Sequence, residues 1–247
     1  MILSESDLIF PDWPAPPNVR AIQTTRAGGF SKGPYFSLNL GDHVGDDPLV
    51  VSANRQLLTQ FVPSEPVWMR QVHGTQVIDA ATASCLPEAD AAFAHTPETV
   101  CCVMTADCLP ILLCDRAGSV VAAVHAGWRG LLNGVIEAAV AYMQAPAPDL
   151  MAWLGPAIGP DAFEVGDEVR TAFIEMDEDA SHAFVALENG KWLASIYLLA
   201  RQRLDAIGVT QVHGGDFCTY TDATRFYSYR RDQATGRMAS MIWLNKK

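Results

Sequence analysis

The sequence predicts a single α/β domain of mixed strand pairing spanning residues 1–247. Three observations point to it. Apolar runs of strand length alternate with segments of helical periodicity. No internal repeat, low-complexity stretch or convincing linker divides the chain. A hydrophobic content of 49% over 247 residues can fill a substantial core.

In chain order, Val19 to Thr25 reads as a strand that runs into an arginine-bearing turn, Arg26-Ala27-Gly28-Gly29. Ser37-Leu38-Asn39-Leu40-Gly41-Asp42-His43 is polar and contains glycine, the character of a loop. Asp47 before Pro48 is a helix start, with Asp as N-cap and Val51, Leu57, Leu58 and Phe61 supplying a buried face before Pro63. Val67 to Gln71 alternates into Val72-His73-Gly74, and Val77-Ile78 reads as the returning strand of a hairpin. Thr99 to Met104 is a further apolar run. Ile111 to Cys114 and Val120 to Val124 read as buried strands joined by the turn Asp115-Arg116-Ala117-Gly118.

Leu132, Val135, Ile136, Ala139, Val140 and Met143 recur at the spacing of an amphipathic helix over Leu131 to Gln144. Met151 to Leu154 is a strand running into the rigid loop Gly155 to Pro160. A helix begins at Asp167, and another over Ala194 to Ile207 closes with Gly208 at C′. Val209 to Val212 and Met238 to Leu244 complete the strands, flanking an aromatic and basic stretch from Phe226 to Asp232.

A net charge of −11 works against nonspecific binding to nucleic acid, which needs clustered Lys and Arg. An anionic substrate must therefore meet a local cluster of arginines. The first residues lack the basic and apolar regions of a signal peptide, and no apolar run is long enough to span a bilayer, so a cytoplasmic protein is expected. Six cysteines in that setting are expected to stay reduced, with Cys85, Cys101, Cys102 and Cys114 as small core residues. Cys101 and Cys102 are adjacent and must point to opposite faces of a strand.

The chemistry concentrates at strand ends. His73, Cys108 and His125 each sit at such an end beside Gly or Pro, where a rigid element presents a side chain to a loop. Two imidazoles and a thiolate form a three-ligand zinc set that leaves a fourth position open. The same set, with Met104 as a weak axial ligand, suits a single copper. A metal-free alternative makes Cys108 a nucleophile, His125 its base and Asp107 an orienter, but leaves His73 without a role. Arg129 and the helix start behind Gly130 together suit an anion, although Arg129 also suits a surface ion pair. Arg230 and Arg231 read as a solvated pair, Asn39 and His43 as turn residues, and His95 and His182 as exposed bystanders.

The segments QVHGTQV, TADCLPILLCD, VHAGWRG, WLGPAIGP, FEVGDEV and SYRRDQATGRMASMIWL, in this order, closely resemble the YfiH-type family, also called the multicopper polyphenol oxidase or laccase-domain family. The resemblance runs from Pro11 to Leu244. It implies a layered α/β sandwich with mixed sheets flanked by helices, and a zinc site on His73, Cys108 and His125, copper being the other metal associated with the family. Family members are described as purine nucleoside phosphorylases with adenosine deaminase and methylthioadenosine phosphorylase activity, as copper polyphenol oxidases, and as hydrolases editing muramyl-peptide precursors. The first description is the one adopted. It makes a purine nucleoside and phosphate the expected substrates, with a phenol as the alternative, and leaves the oligomeric state open. Expected roles are metal ligation by His73, Cys108 and His125, anion or ribose binding by Asn39, His43, Arg129 and Arg26, and orientation by Asp107.

Overall fold

The computed structural model describes residues 3–246. The first half contains β1 (Leu8–Ile9), β2 (Val19–Thr24), α1 (Pro48–Leu57), β3 (Val77–Asp79), β4 (Ala91–Ala94), β5 (Cys101–Thr105), β6 (Leu109–Asp115) and β7 (Val121–Ala126). Then come α2 (Trp128–Asn133), α3 (Val135–Met143), β8 (Leu150–Leu154), β9 (Glu164–Val165), α4 (Asp167–Met176), β10 (Phe184–Ala186) and β11 (Trp192–Ala194). The remainder holds α5 (Ile196–Ala206), β12 (Gln211–Gly214), α6 (Tyr229–Asp232) and β13 (Met238–Leu244).

The strands form a mixed six-stranded sheet in the order β12-β8-β6-β7-β4-β3, a four-stranded sheet β1-β2-β13-β5, and a small sheet β10-β11-β9. β5, β6, β7, β8 and β13 are buried along their whole length, which explains why they read as continuous apolar runs and not as alternating ones. Their side chains still divide by face. Ile111, Leu113, Ala122 and Val124 pack against Ile136, Ala139 and Met143 of α3 and Leu199 and Leu204 of α5. Leu112, Cys114, Val121 and Ala123 face the other way, onto Cys101, Val103 and Ile242 of the four-stranded sheet. Beyond that sheet, Cys102, Met104, Met241 and Trp243 pack with Leu38, Leu57, Leu58 and Phe61. The result is the layered α/β arrangement of mixed sheets and flanking helices, with Cys101 and Cys102 in different layers.

Local signals decide several boundaries. The Asp47 side chain accepts from Leu49 N at 2.9 Å with Pro48 at the first helical position, so α1 starts where the sequence indicates. The turn at 115–118 makes β6 and β7 an antiparallel hairpin. Four expectations fail. Val77–Asp79 does not return on Val67 to Gln71; it pairs parallel with β4, while Val67 and Arg70 make isolated parallel bridges to Cys101 and Glu88. The helix expected over Leu131 to Gln144 begins at Trp128 and breaks at Gly134, whose φ of 94° ends α2 in a left-handed cap before α3 starts. The strand expected at Val209 lies two residues later, in β12. Cys85 is exposed, not a core residue.

At the β6–β7 turn, the Asp115 carboxylate accepts from Ser119 N (2.7 Å), Ser119 Oγ (2.6 Å) and Val120 N (3.1 Å). Burial opposes its charge, but these bonds outweigh burial and hold the carboxyl below the usual range. A depressed folded pKa stabilises the fold above the unfolded value of about 4 and ceases to do so as pH falls through the folded value. Asp115→Ala should cost about 1–3 kcal/mol at pH 7 by denaturant unfolding, and the deficit should shrink toward pH 3.

Candidate metal centre and its cleft

The strand pairing itself assembles the site. Pro110 lies opposite His125 and Leu109 opposite Ala126, so Cys108, one residue before β6, adjoins the end of β7. β4 pairs with β7 with Ala91 opposite Val124, and continuing that register sets Asp90 opposite His125. His125 N donates to the Asp90 carbonyl at 2.7 Å. The Asp90 carboxylate, fully buried, then accepts from four donors: Val72 N (3.2 Å), His73 N (2.9 Å), Gly74 N (2.7 Å) and His125 Nδ1 (2.7 Å). Those bonds hold His73 at φ 60°, a left-handed conformation costly for a side chain with a Cβ.

Because an ionised carboxylate only accepts, His125 Nδ1 carries the proton and its Nε2 lone pair is left for a metal. The His73, Cys108 and His125 donor atoms lie within 4.8 Å of one another, and Cys108 Sγ is 3.7 Å from His73 Nε2. Burial disfavours charge on Cys108 and on His125. It is outweighed by their mutual attraction, with help from His73 for the thiol and Asp90 for the imidazole. The Cys108 pKa is therefore lowered and that of His125 raised. A thiolate is the ionisation state a metal requires, whereas the raised pKa of His125 puts a second proton on Nε2 that leaves as a metal binds. Gly127 closes the back of the site: a Cβ there would sit 2.7 Å from His73 Cδ2 and 3.2 Å from Cys108 Sγ. The three residues fit a metal ion, and all three line the cleft. Met104 lines the same cleft, and its sulfur lies 3.9 Å from Arg55 Nη2.

The donors form the floor of a cleft of about 310 Å³ walled by Trp128, Ile158, Phe163, Ile196 and Tyr229, with His43, Arg230 and Arg237 also lining it. Several expected residues have other positions. Asp107 lines the cleft, but its carboxylate accepts from Thr219 Oγ1 (2.6 Å) and Arg230 N (2.7 Å). It secures α6, and Asp90 is the orienting carboxylate. Asn39 is fully buried and holds Gly41 N and Arg237 N, both at 2.9 Å, so it acts on the backbone and does not reach the cleft. Arg129 turns outward, 4.4 Å over the Trp128 ring. Arg26 is engaged by the Phe36 and Ala223 carbonyls and the Tyr227 ring. His43 does line the cleft. Sequence reading missed Asp90, Arg237 and the cleft-facing role of Arg230. For Asp90 the available signal was a single charged residue in the run Ala89 to Ala92.

Residues 20–245 match the multi-copper polyphenol oxidoreductase laccase family, and the chain belongs to that family. It is 56% identical to a purine nucleoside phosphorylase of Pseudomonas aeruginosa over 95% of this chain and 97% of that one. It is 55% identical to the purine nucleoside phosphorylase YfiH of Escherichia coli K12, covering 97% and 99%. A crystal structure from Neisseria meningitidis superposes with a TM-score of 0.96 at 51% identity, covering 97% of this chain and all of the other.

Asp90→Asn should weaken metal affinity roughly 10- to 100-fold, as removal of a ligand's carboxylate partner usually does, whereas Asp107→Asn should leave it within a few-fold. Chelator competition on the purified variants measures both. Gly127→Ala should lower metal stoichiometry by crowding His73.

Proposed function

We propose that this chain is a zinc-dependent purine nucleoside phosphorylase that also deaminates adenosine and cleaves methylthioadenosine, acting in the cytoplasm. The observation that carries the proposal is the His73, Cys108 and His125 donor set on the floor of a cleft with aromatic walls and a cationic flank. The high identity to proteins named purine nucleoside phosphorylase supports it.

In phosphorolysis a phosphate oxygen bonds to ribose C1′ while the C1′–N9 bond breaks, its electron pair leaving with the base, which takes up a proton. Zinc held by His73, Cys108 and His125 would supply Lewis acidity toward a water or a purine ring atom. The chain's own residues do the rest. Trp128, Phe163 and Tyr229 offer aromatic faces for a purine and help exclude water. Arg230 and Arg237 favour the anionic partner, and Asp90 keeps His125 in one tautomer. Deamination uses water in place of phosphate, attacking C6 with loss of ammonia.

A polyphenol oxidase reading draws on the family description alone. It predicts oxygen uptake with a phenol that rises on copper loading. A muramyl-peptide hydrolase would release a free amino acid instead. Cys108→Ala should lose both bound zinc and the conversion of inosine and phosphate to hypoxanthine and ribose 1-phosphate, read by mass spectrometry alongside metal analysis. Full turnover by a metal-free Cys108→Ala protein would contradict the assignment.

A further inference from the structure

The arginine that the architecture spends most on is neither Arg129 nor Arg26. Arg237 stands just ahead of β13, and the Ser37 to His43 loop is built around it. Asn39, fully buried, accepts from Arg237 N at 2.9 Å, and Leu40 N donates to the Arg237 carbonyl at 3.1 Å. Gly41 makes room for the side chain: a Cβ there would lie 2.8 Å from Arg237 Cγ. Arg237 Nη1 donates to the Thr235 and Gly236 carbonyls at 3.1 and 3.0 Å, which fixes the guanidinium plane. Its Nε and Nη2 have no acceptor among the described residues.

It also makes no ion pair among the described residues. Arg230 makes none there either, although seven other arginine and lysine side chains have Asp or Glu partners, Arg55, Arg203 and Arg231 among them. The one carboxylate lining the cleft, Asp107, is already occupied by Thr219 and the Arg230 N–H. Burial lowers the Arg237 pKa, and the nearby Cys108 and Asp107 charges offset this only in part, the mark of a cation short of solvent. Arg230 Nη1 is held by the Glu164 carbonyl at 2.9 Å, again leaving donors free. His43 completes the flank; burial and the Arg237 charge lower its pKa, so it offers a neutral imidazole beside the two guanidiniums. In a chain of net charge −11, a cleft holding two unpaired, backbone-anchored guanidiniums is an anion site.

We propose that Arg237, flanked by Arg230 and His43, docks the inorganic phosphate that attacks the nucleoside. The choice of phosphate over another anion rests on the phosphorylase reading; the location of the anion site does not. Asn39 and Gly41 serve the same site as positioning residues through the Arg237 backbone and stem.

The test uses zinc-loaded protein with inorganic phosphate as the probe, by isothermal titration calorimetry and by steady-state phosphorolysis of inosine. Arg237→Met should weaken phosphate binding and raise the phosphate KM by about tenfold or more, the scale of a lost charged hydrogen bond. The inosine KM should stay within about threefold and metal content should not change, while Arg237→Lys should recover part of the loss because it restores charge without the fork. Arg230→Gln should give a smaller rise. Unchanged phosphate affinity in folded Arg237→Met overturns the proposal. If that variant does not fold, unchanged affinity in both Arg237→Lys and Arg230→Gln overturns it. A wild-type protein that binds no phosphate also overturns it. A wild-type protein that binds phosphate through Arg237 but forms no hypoxanthine upholds the dock and refutes the phosphorylase reading instead.

Discussion

One buried carboxylate organises this molecule's chemistry. Asp90 lies between the loop that carries His73 and the strand that carries His125, and its two oxygens accept from three consecutive backbone N–H groups and one imidazole. A charge buried without partners is costly, so the four donors are a condition of placing it there at all. Burial alone would raise the Asp90 pKa; the His125 bond and charge and the Gly74 and Val72 N–H groups reverse that, and the pKa is lowered. The same bonds fix the His125 tautomer and hold His73 in its left-handed turn. Two ligands from segments 52 residues apart thus share one anchor.

The sheets supply the third ligand. β5 belongs to the four-stranded sheet and β6 to the six-stranded one, so Ala106-Asp107-Cys108 is the crossing between layers. Asp107 adopts φ 90° to make that crossing and ties it to Thr219 and α6. Both flanking strands are buried end to end, so the crossing has little freedom and Cys108 is delivered against Gly127. Side chains on a rigid base of this kind need little reorganisation when a metal or substrate binds.

Much of this was legible in the sequence where local chemistry decides it. The capped start of α1, the β6–β7 turn and the apolar runs of the central strands carry their own signals. His73, Cys108 and His125 stood out as metal-binding residue types beside Gly or Pro; Cys108 and His125 do lie at strand ends, whereas His73 sits in a loop. What failed was long-range. A parallel partner for Val77–Asp79 has no local signature, so a hairpin with the preceding segment was the natural expectation. Asp90 looked like an ordinary polar residue before a strand, because its four donors come from residues 72 to 74 and 125. Arginines are long enough to turn either way: Arg129 lies over its neighbour's ring, while Arg237, in a segment that marks the family but gave no sign of a role for this side chain, faces the cleft.

The central claim is that Asp90 shapes His73, Cys108 and His125 into one metal site. X-ray absorption at the zinc edge of the wild-type and Asp90→Asn proteins, loaded under limiting zinc, tests it most directly. The account predicts one sulfur scatterer at about 2.3 Å and two imidazole nitrogens at about 2.0–2.1 Å in the wild type, with one imidazole lost or disordered in the variant. A wild-type spectrum without a sulfur neighbour, or identical spectra and zinc occupancy in both proteins, would contradict it.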